Sequence, residues 1–253
     1  MRSFTVDSLS VGIYGSRPEM GKAAARDAAD AIRKVLQNKD CCNMIFAAAP
    51  SQNEVLAALA EDRSIPWERV RAFHMDEYVG LSPDAPQGFG NFLRERLFGL
   101  VPFREVHYID GWDPDPEASC ARYAALLREY PPDAVMMGIG ENGHIAFNDP
   151  GVADFHDPLA VKPVPLDEVC RMQQVHDGCF ASLGDVPKTA LTLTVPTLAA
   201  APYLFCVVPA PTKAEAVKRT LLGPVSEACP ATILRTRPGA RMYLDPASAS
   251  LLE

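Results

Sequence analysis

The sequence predicts an α/β protein, a Rossmann-like three-layer sandwich with a mostly parallel central sheet. Short apolar runs alternate along the chain with helical patterns of ~10–15 residues, as crossover connections between parallel strands require. One of these runs, 134–139, is almost wholly apolar, as expected of a strand covered on both faces. No repeat, low-complexity block or flexible linker interrupts the chain, so residues 1–253 read as a single domain.

The elements follow in order. Residues 20–36 form an amphipathic helix: Ala24, Ala28, Ala31, Ile32 and Val35 share one face, and Lys22, Arg26, Asp27 and Lys34 face water. An apolar run at 44–48 ends in small residues, and Ser51 is placed to cap a helix reaching about Ala60. Strands are expected at 70–75 and 106–109, with a helix at 89–98 between them. The helix over 114–130 opens on proline and acidic residues, which suits the positive end of its dipole. Further strands read at 190–195, 204–208 and 241–244, with a helix from Thr212 to about Leu222.

Composition narrows the function. Apolar residues make up 48% and charged residues 22%, a globular balance that excludes a disordered chain. The 24 Lys and Arg against 32 Asp and Glu leave a net charge of −8, which argues against a nucleic-acid partner. The longest apolar stretch, 195–211, is broken by Pro196, Pro202 and Pro209, so no membrane span is expected. Seven cysteines without a Cys-x-x-Cys pair suggest neither a disulfide framework nor a zinc site. With no apolar leader at the N-terminus, a cytoplasmic location is expected.

In parallel sheets ligands bind beyond the carboxyl ends of strands, and four such segments carry chemistry. Ala47-Ala48-Ala49-Pro50-Ser51-Gln52 runs from a strand into a helix and offers backbone amides to an anion, typically phosphate. Phe73-His74-Met75-Asp76-Glu77-Tyr78 ends a strand with adjacent carboxylates, of which only one can face a cleft on an extended chain. In 138–150, Asn142, His144 and Asp149 place an amide, an imidazole and a carboxylate within one glycine-rich loop, a set able to move protons near neutral pH. Gly138, Gly140 and Gly143 match the dinucleotide-binding spacing, but neither the required helix nor the ribose-binding acid follows. In Pro209-Ala210-Pro211-Thr212-Lys213, a lysine opens a helix against its dipole, so an anion, Glu215 or solvent must compensate it.

Taken together and in this order, these segments resemble the glucosamine-6-phosphate deaminase/isomerase family, which shares its fold with 6-phosphogluconolactonases. The resemblance runs from about Ala23 to Asp245 and is strongest over 74–81 and 138–150. Ile145-Ala146-Phe147-Asn148 looks like the deaminase branch. The resemblance implies that Asp76 moves a proton between C2 and C1, that His144 opens the pyranose ring, and that Asp149 orients or charges His144. Asn142 stands where many members carry Asp. Lys213, Ser51, Gln52 and the backbone of Ala48 and Ala49 would hold the phosphate, with Arg171 or His176 near a further phosphate-binding arginine of the family.

This chemistry needs positioned acids and bases but neither metal nor redox cofactor. Residues 151–155 lack the serine and basic residues of the family's allosteric site, so no activation by N-acetylglucosamine 6-phosphate is expected. Homo-oligomerisation is left open. The rival expectations are a 6-phosphogluconolactonase and a non-catalytic sugar-phosphate sensor. Against the sensor stand the net acidity and the lack of a helix-turn-helix extension.

Overall fold

The computed structural model describes residues 1–252. Two strands that periodicity did not reveal open the chain, β1 (Arg2–Val6) and β2 (Leu9–Ile13), joined as an antiparallel hairpin. Helix α1 (Arg17–Leu36) begins before its apolar stripe because the Ser16 hydroxyl accepts the Glu19 amide at 3.3 Å and Pro18 fits the first turn. Strand β3 (Cys42–Phe46) is followed by a 3-10 turn and α2 (Asn53–Glu61). The residue at the head of α2 is Gln52, without a side-chain cap, so Ser51 does not cap this helix.

The strand expected at 70–75 is β4 (Val70–His74), and beyond Met75 the chain forms a further short strand, β5 (Asp76–Tyr78). Helix α3 (Phe89–Leu93) continues as a π-helical turn to Phe98. Then come β6 (Glu105–His107), α4 (Pro116–Glu129) capped by Asp115, and β7 (Ala134–Met137). The sequence reading left the next two elements, β8 (Val161–Pro165) and α5 (Glu168–His176), unassigned. The chain finishes with β9 (Thr189–Leu193), α6 (Val195–Ala199), β10 (Tyr203–Val208), α7 (Ala214–Leu222) and β11 (Ala240–Leu244).

The main sheet has the order β1-β2-β11-β10-β7-β3-β4-β6, and every pairing except β1–β2 is parallel. Successive side chains of a strand point to opposite faces, and the core divides accordingly. Met44, Phe46, Met136 and Val207 pack with α1 and α2 on one face. Ile45, Val135, Met137 and Cys206 pack with α4, α6 and α7 on the other. These are the three expected layers.

A second sheet, β5-β9-β8, is antiparallel. The expected strand at 190–195 therefore lies outside the main sheet: a short buried apolar run reads alike in either, and only long-range pairing decides. This small sheet sets Asp76 opposite Thr192. Strands β10, β7, β3 and β4 are neighbours in the main sheet, so their carboxyl ends converge. The chain runs outward from β3 to β4 and β6 on one side and from β7 to β10 and β11 on the other, and this reversal opens a crevice at the sheet's rim.

Candidate active site

The four strand-end segments meet around a narrow cavity of about 60 Å³ lined by Ala48, Ala49, Ser51, Gln52, Asp76, His144 and Lys213. Asp76 leads β5 out of the main sheet and faces this cavity, while Glu77 points the other way, as strand alternation demands. The Glu77 carboxylate accepts the backbone amides of Tyr78 (2.9 Å), Phe89 (3.0 Å) and Gly90 (2.9 Å), which ties β5 to the start of α3. Asp76 is buried and its carboxyl has no such donor among the described residues. Burial, with the nearby Glu77 charge adding to it, pushes its pKa well above the usual carboxylate range.

Across the cavity, His144 Nδ1 lies 2.8 Å from Asp149 Oδ1. The Asn142 amide donates to the same oxygen at 2.9 Å, and its carbonyl accepts the His144 backbone amide at 2.9 Å. These two bonds orient the Asn142 carboxamide, and a carboxylate in its place would set like charges against Asp149. Burial pushes the Asp149 pKa up, but the His144 hydrogen bond and charge, with the Asn142 amide, outweigh it, so the carboxyl lies below its ordinary range. Nδ1 of His144 thus faces the Asp149 carboxylate, and Nε2 is the ring nitrogen turned away from it.

Glycines let the imidazole sit there. A Cβ on Gly140 would lie 2.1 Å from His144 Cε1, and Gly143 has φ 89°, with a Cβ position 2.6 Å from Cys229 Sγ. The loop is pinned to the small sheet, because Asn148 Nδ2 donates to Ile145 O (2.9 Å) and Leu193 O (2.8 Å) and the Phe147 amide donates to Thr192 Oγ1 (3.1 Å). The pairing of β9 with β5 therefore carries both the Asp76 and the His144 sides of the cavity. No helix follows the glycine triplet directly, which confirms that its dinucleotide-like spacing is coincidental.

Lys213 ends a 3-10 turn ahead of α7 and is buried, without an ion pair among the described residues. Burial lowers its pKa, and the charges that act against this are chiefly Asp177 and Glu141 rather than Glu215. Just before it, Ala210 adopts φ 84°, ψ 150°, a region costing about 1–3 kcal/mol for a residue with a Cβ. Its amide donates to the Asp245 carboxylate (3.2 Å), which helps hold the strained turn. Lys213 and the turn at 48–52 make one cationic, amide-lined end of the cavity. Ser51 Oγ accepts from Gln52 Nε2 at 3.1 Å, and that nitrogen also donates to Val207 O at 3.3 Å.

Two expectations change. Arg171 does not line the cavity: its guanidinium donates to Leu183 O (2.6 Å) and Val186 O (2.9 Å), so it fastens α5 to the following loop. His176 is half-exposed, with Nδ1 3.6 Å from the Glu141 carboxylate. The sequence reading missed Gln173, Gln174 and Asp177, which close the cavity from α5 and its end, with Gln173 Oε1 accepting the Glu141 amide at 2.9 Å. Helix α5 carries Val169 and Met172 outward and Gln173 and Gln174 inward, an inverted pattern that hides it from a search for amphipathic helices.

The donor atoms of His144, Asp149 and Cys170 lie within 4.8 Å of one another, a set that could hold a metal ion. His144 Nδ1 already lies 2.8 Å from Asp149 Oδ1, so the same atoms can work as a proton-handling couple. No helix among the described residues is long and apolar enough to cross a membrane.

Residues 15–243 match the model of the glucosamine-6-phosphate isomerases and 6-phosphogluconolactonases. The chain belongs to this family. Within it, the glucosamine-6-phosphate deaminase of Exiguobacterium sp. is 40% identical over 187 residues, 74% of this chain and 72% of that one. The deaminase of Listeria innocua is 33% identical over 230 residues, covering 91% of this chain and 96% of that one. Among solved structures, a monomeric glucosamine-6-phosphate deaminase superposes with TM-score 0.86 and 28% identity, covering 95% of this family member and 99% of that chain. The 6-phosphogluconolactonase of Thermotoga maritima has TM-score 0.74 at 20% identity, covering 94% and 99%, and shares the fold.

Proposed function

We propose that the chain is a deaminase/isomerase of amino-sugar 6-phosphates, converting glucosamine 6-phosphate and water to fructose 6-phosphate and ammonia. The observation that carries this reading is the opposition, across one cavity, of a buried carboxyl (Asp76) and a carboxylate-backed imidazole (His144–Asp149), with Lys213 at one end; among the described residues Asp76 has no donor and Lys213 no ion pair. In this reading His144 Nε2 exchanges a proton with the ring oxygen and opens the pyranose. Asp76 removes the C2 proton and returns it to C1, which turns the amino aldehyde into a C2 imine through an enolamine. Water adds to the imine carbon and ammonia leaves, so the overall reaction consumes one water.

Lys213, Ser51, Gln52 and the amides of Ala48 and Ala49 bind the phosphate, a remote handle that aligns C1 and C2 with Asp76. The proton chemistry calls on no metal or redox cofactor. The test is the stoichiometric appearance of ammonia and fructose 6-phosphate from glucosamine 6-phosphate, with 6-phosphogluconolactone as the control. Turnover of the lactone alone would overturn the proposal in favour of the hydrolase.

A further inference from the structure

We infer that His74, held as a neutral Nδ1–H tautomer, is the positioning residue that aims Asp76 into the cavity. The inference rests on the reading of Asp76 as the proton-transfer base. His74 is fully buried at the end of β4. Its Nε2 lies 2.8 Å from the Ile109 backbone nitrogen, whose N–H can only donate, so Nε2 accepts. Its Nδ1 lies 2.9 Å from the Asp76 carbonyl oxygen, which can only accept, so Nδ1 carries the proton. A proton on Nε2 would oppose the Ile109 N–H. Burial also depresses the imidazole pKa to about 4, so the ring stays neutral at physiological pH.

The imidazole thus spans the corner at Met75 where the chain leaves the main sheet, linking Asp76 to the segment after β6. Tyr123 of α4 grips the same corner: its hydroxyl accepts the His74 amide at 3.0 Å and lies 2.9 Å from the His74 carbonyl. On the other side the corner is fastened by the Leu193 amide, which donates to Met75 O at 2.8 Å. Among the described residues the Asp76 carboxyl has no donor, so its direction depends on how its backbone is held. His74 supplies the hydrogen bond to that backbone from the buried side.

Two substitutions separate the two ends of the ring. His74→Gln can keep an acceptor for Ile109 and loses the donor to Asp76, and His74→Asn does the reverse. The expected result is a fall in kcat of about 10–100-fold for His74→Gln, the scale of a misplaced catalytic group, with KM for glucosamine 6-phosphate within about twofold. His74→Asn should recover most of kcat while melting at a lower temperature. Wild-type kcat in His74→Gln, or a raised KM at unchanged kcat, would overturn the proposal.

Nitrogen-15 NMR of the unmodified protein tests it without a folded variant. It should show a protonated Nδ1 and a bare Nε2, unchanged from about pH 5 to 9, and an Nε2–H tautomer would refute the assignment. Asp76→Asn serves as the control. If that variant keeps solvent-proton exchange, the underlying reading fails, and if it loses exchange while His74→Gln does not, only the role of His74 fails.

Discussion

Asp76 and Asp149 are the same residue type, both buried beside one cavity, and the fold treats them oppositely. Asp149 has donors: His144 and Asn142 both reach its Oδ1, and its pKa falls despite burial. Asp76 has none among the described residues, and burial with the Glu77 charge raises its pKa. Burial alone therefore does not set the behaviour of a carboxyl; the count of donors within reach does. In the proposed mechanism the one with the lowered pKa steadies an imidazole, and the one with the raised pKa takes and returns a proton.

The sharpest way to break this contrast is to remove each charge in turn. Asp76→Asn should abolish exchange of solvent protons into C1 of fructose 6-phosphate, a loss of about 10²–10⁴-fold, with KM nearly unchanged. Its effect on stability has a definite sign. A pKa raised by folding means that Asp76 stabilises the fold below its unfolded pKa, and this is lost as pH rises through the folded pKa. Asp76→Asn should therefore gain in melting temperature over the wild type as pH increases, and a gain that shrinks with pH would contradict the assignment. For the same reason, the acid limb of the wild-type kcat/KM profile should lie above the ordinary carboxylate range.

Asp149→Asn should lower kcat by about 10²–10³-fold, because His144 loses the anion that holds its tautomer. Here the stability effect reverses. A depressed pKa contributes stability above the unfolded value that is lost as pH falls through the folded value. The variant should melt below the wild type near neutrality, and the gap should close in acid. Thermal melts in which both asparagine variants shift the same way with pH would erase the distinction between the two carboxyls.

The smallest expected effects separate two buried cations. Lys213→Ala should raise KM about 10–100-fold, as for a lost charge-assisted hydrogen bond of about 1.5–3 kcal/mol, with a lesser change in kcat. Arg171→Met should leave KM within about twofold but cost about 1–3 kcal/mol of stability, measured by denaturant unfolding, because the Leu183 and Val186 carbonyls lose their donor. A large rise in KM for Arg171→Met would return that arginine to the phosphate.

Much of this arrangement was legible in the sequence. The alternation of strands and helices, the apolar run at 134–139 and the strand-end placement of Asp76, His144 and Lys213 all appear in the structure. The helix cap expected at Ser51 and the cavity position that the resemblance implies for Arg171 differ from the structure for one reason: their partners, Gln52 Nε2 and the carbonyls of 183 and 186, depend on loop paths that carry no periodic signal. Helix α5 escapes a search for amphipathic helices because Gln173 and Gln174 face the cavity while Val169 and Met172 face solvent. The strand at 190–195 was recognised, but its assignment to a sheet was not.

The sequence by itself determined which elements form and which acids, bases and cations are available, because hydrophobic periodicity, caps and residue chemistry are local properties. Only the tertiary structure decided which carboxyl lacks donors, which imidazole tautomer is fixed and which cation stays unpaired. Those properties depend on groups far apart in the chain, Asp76 facing Thr192, His74 meeting Ile109, and Lys213 closing on the turn at 48–52. Electrostatic environment is set by distance in space, which short-range patterns in a chain do not encode.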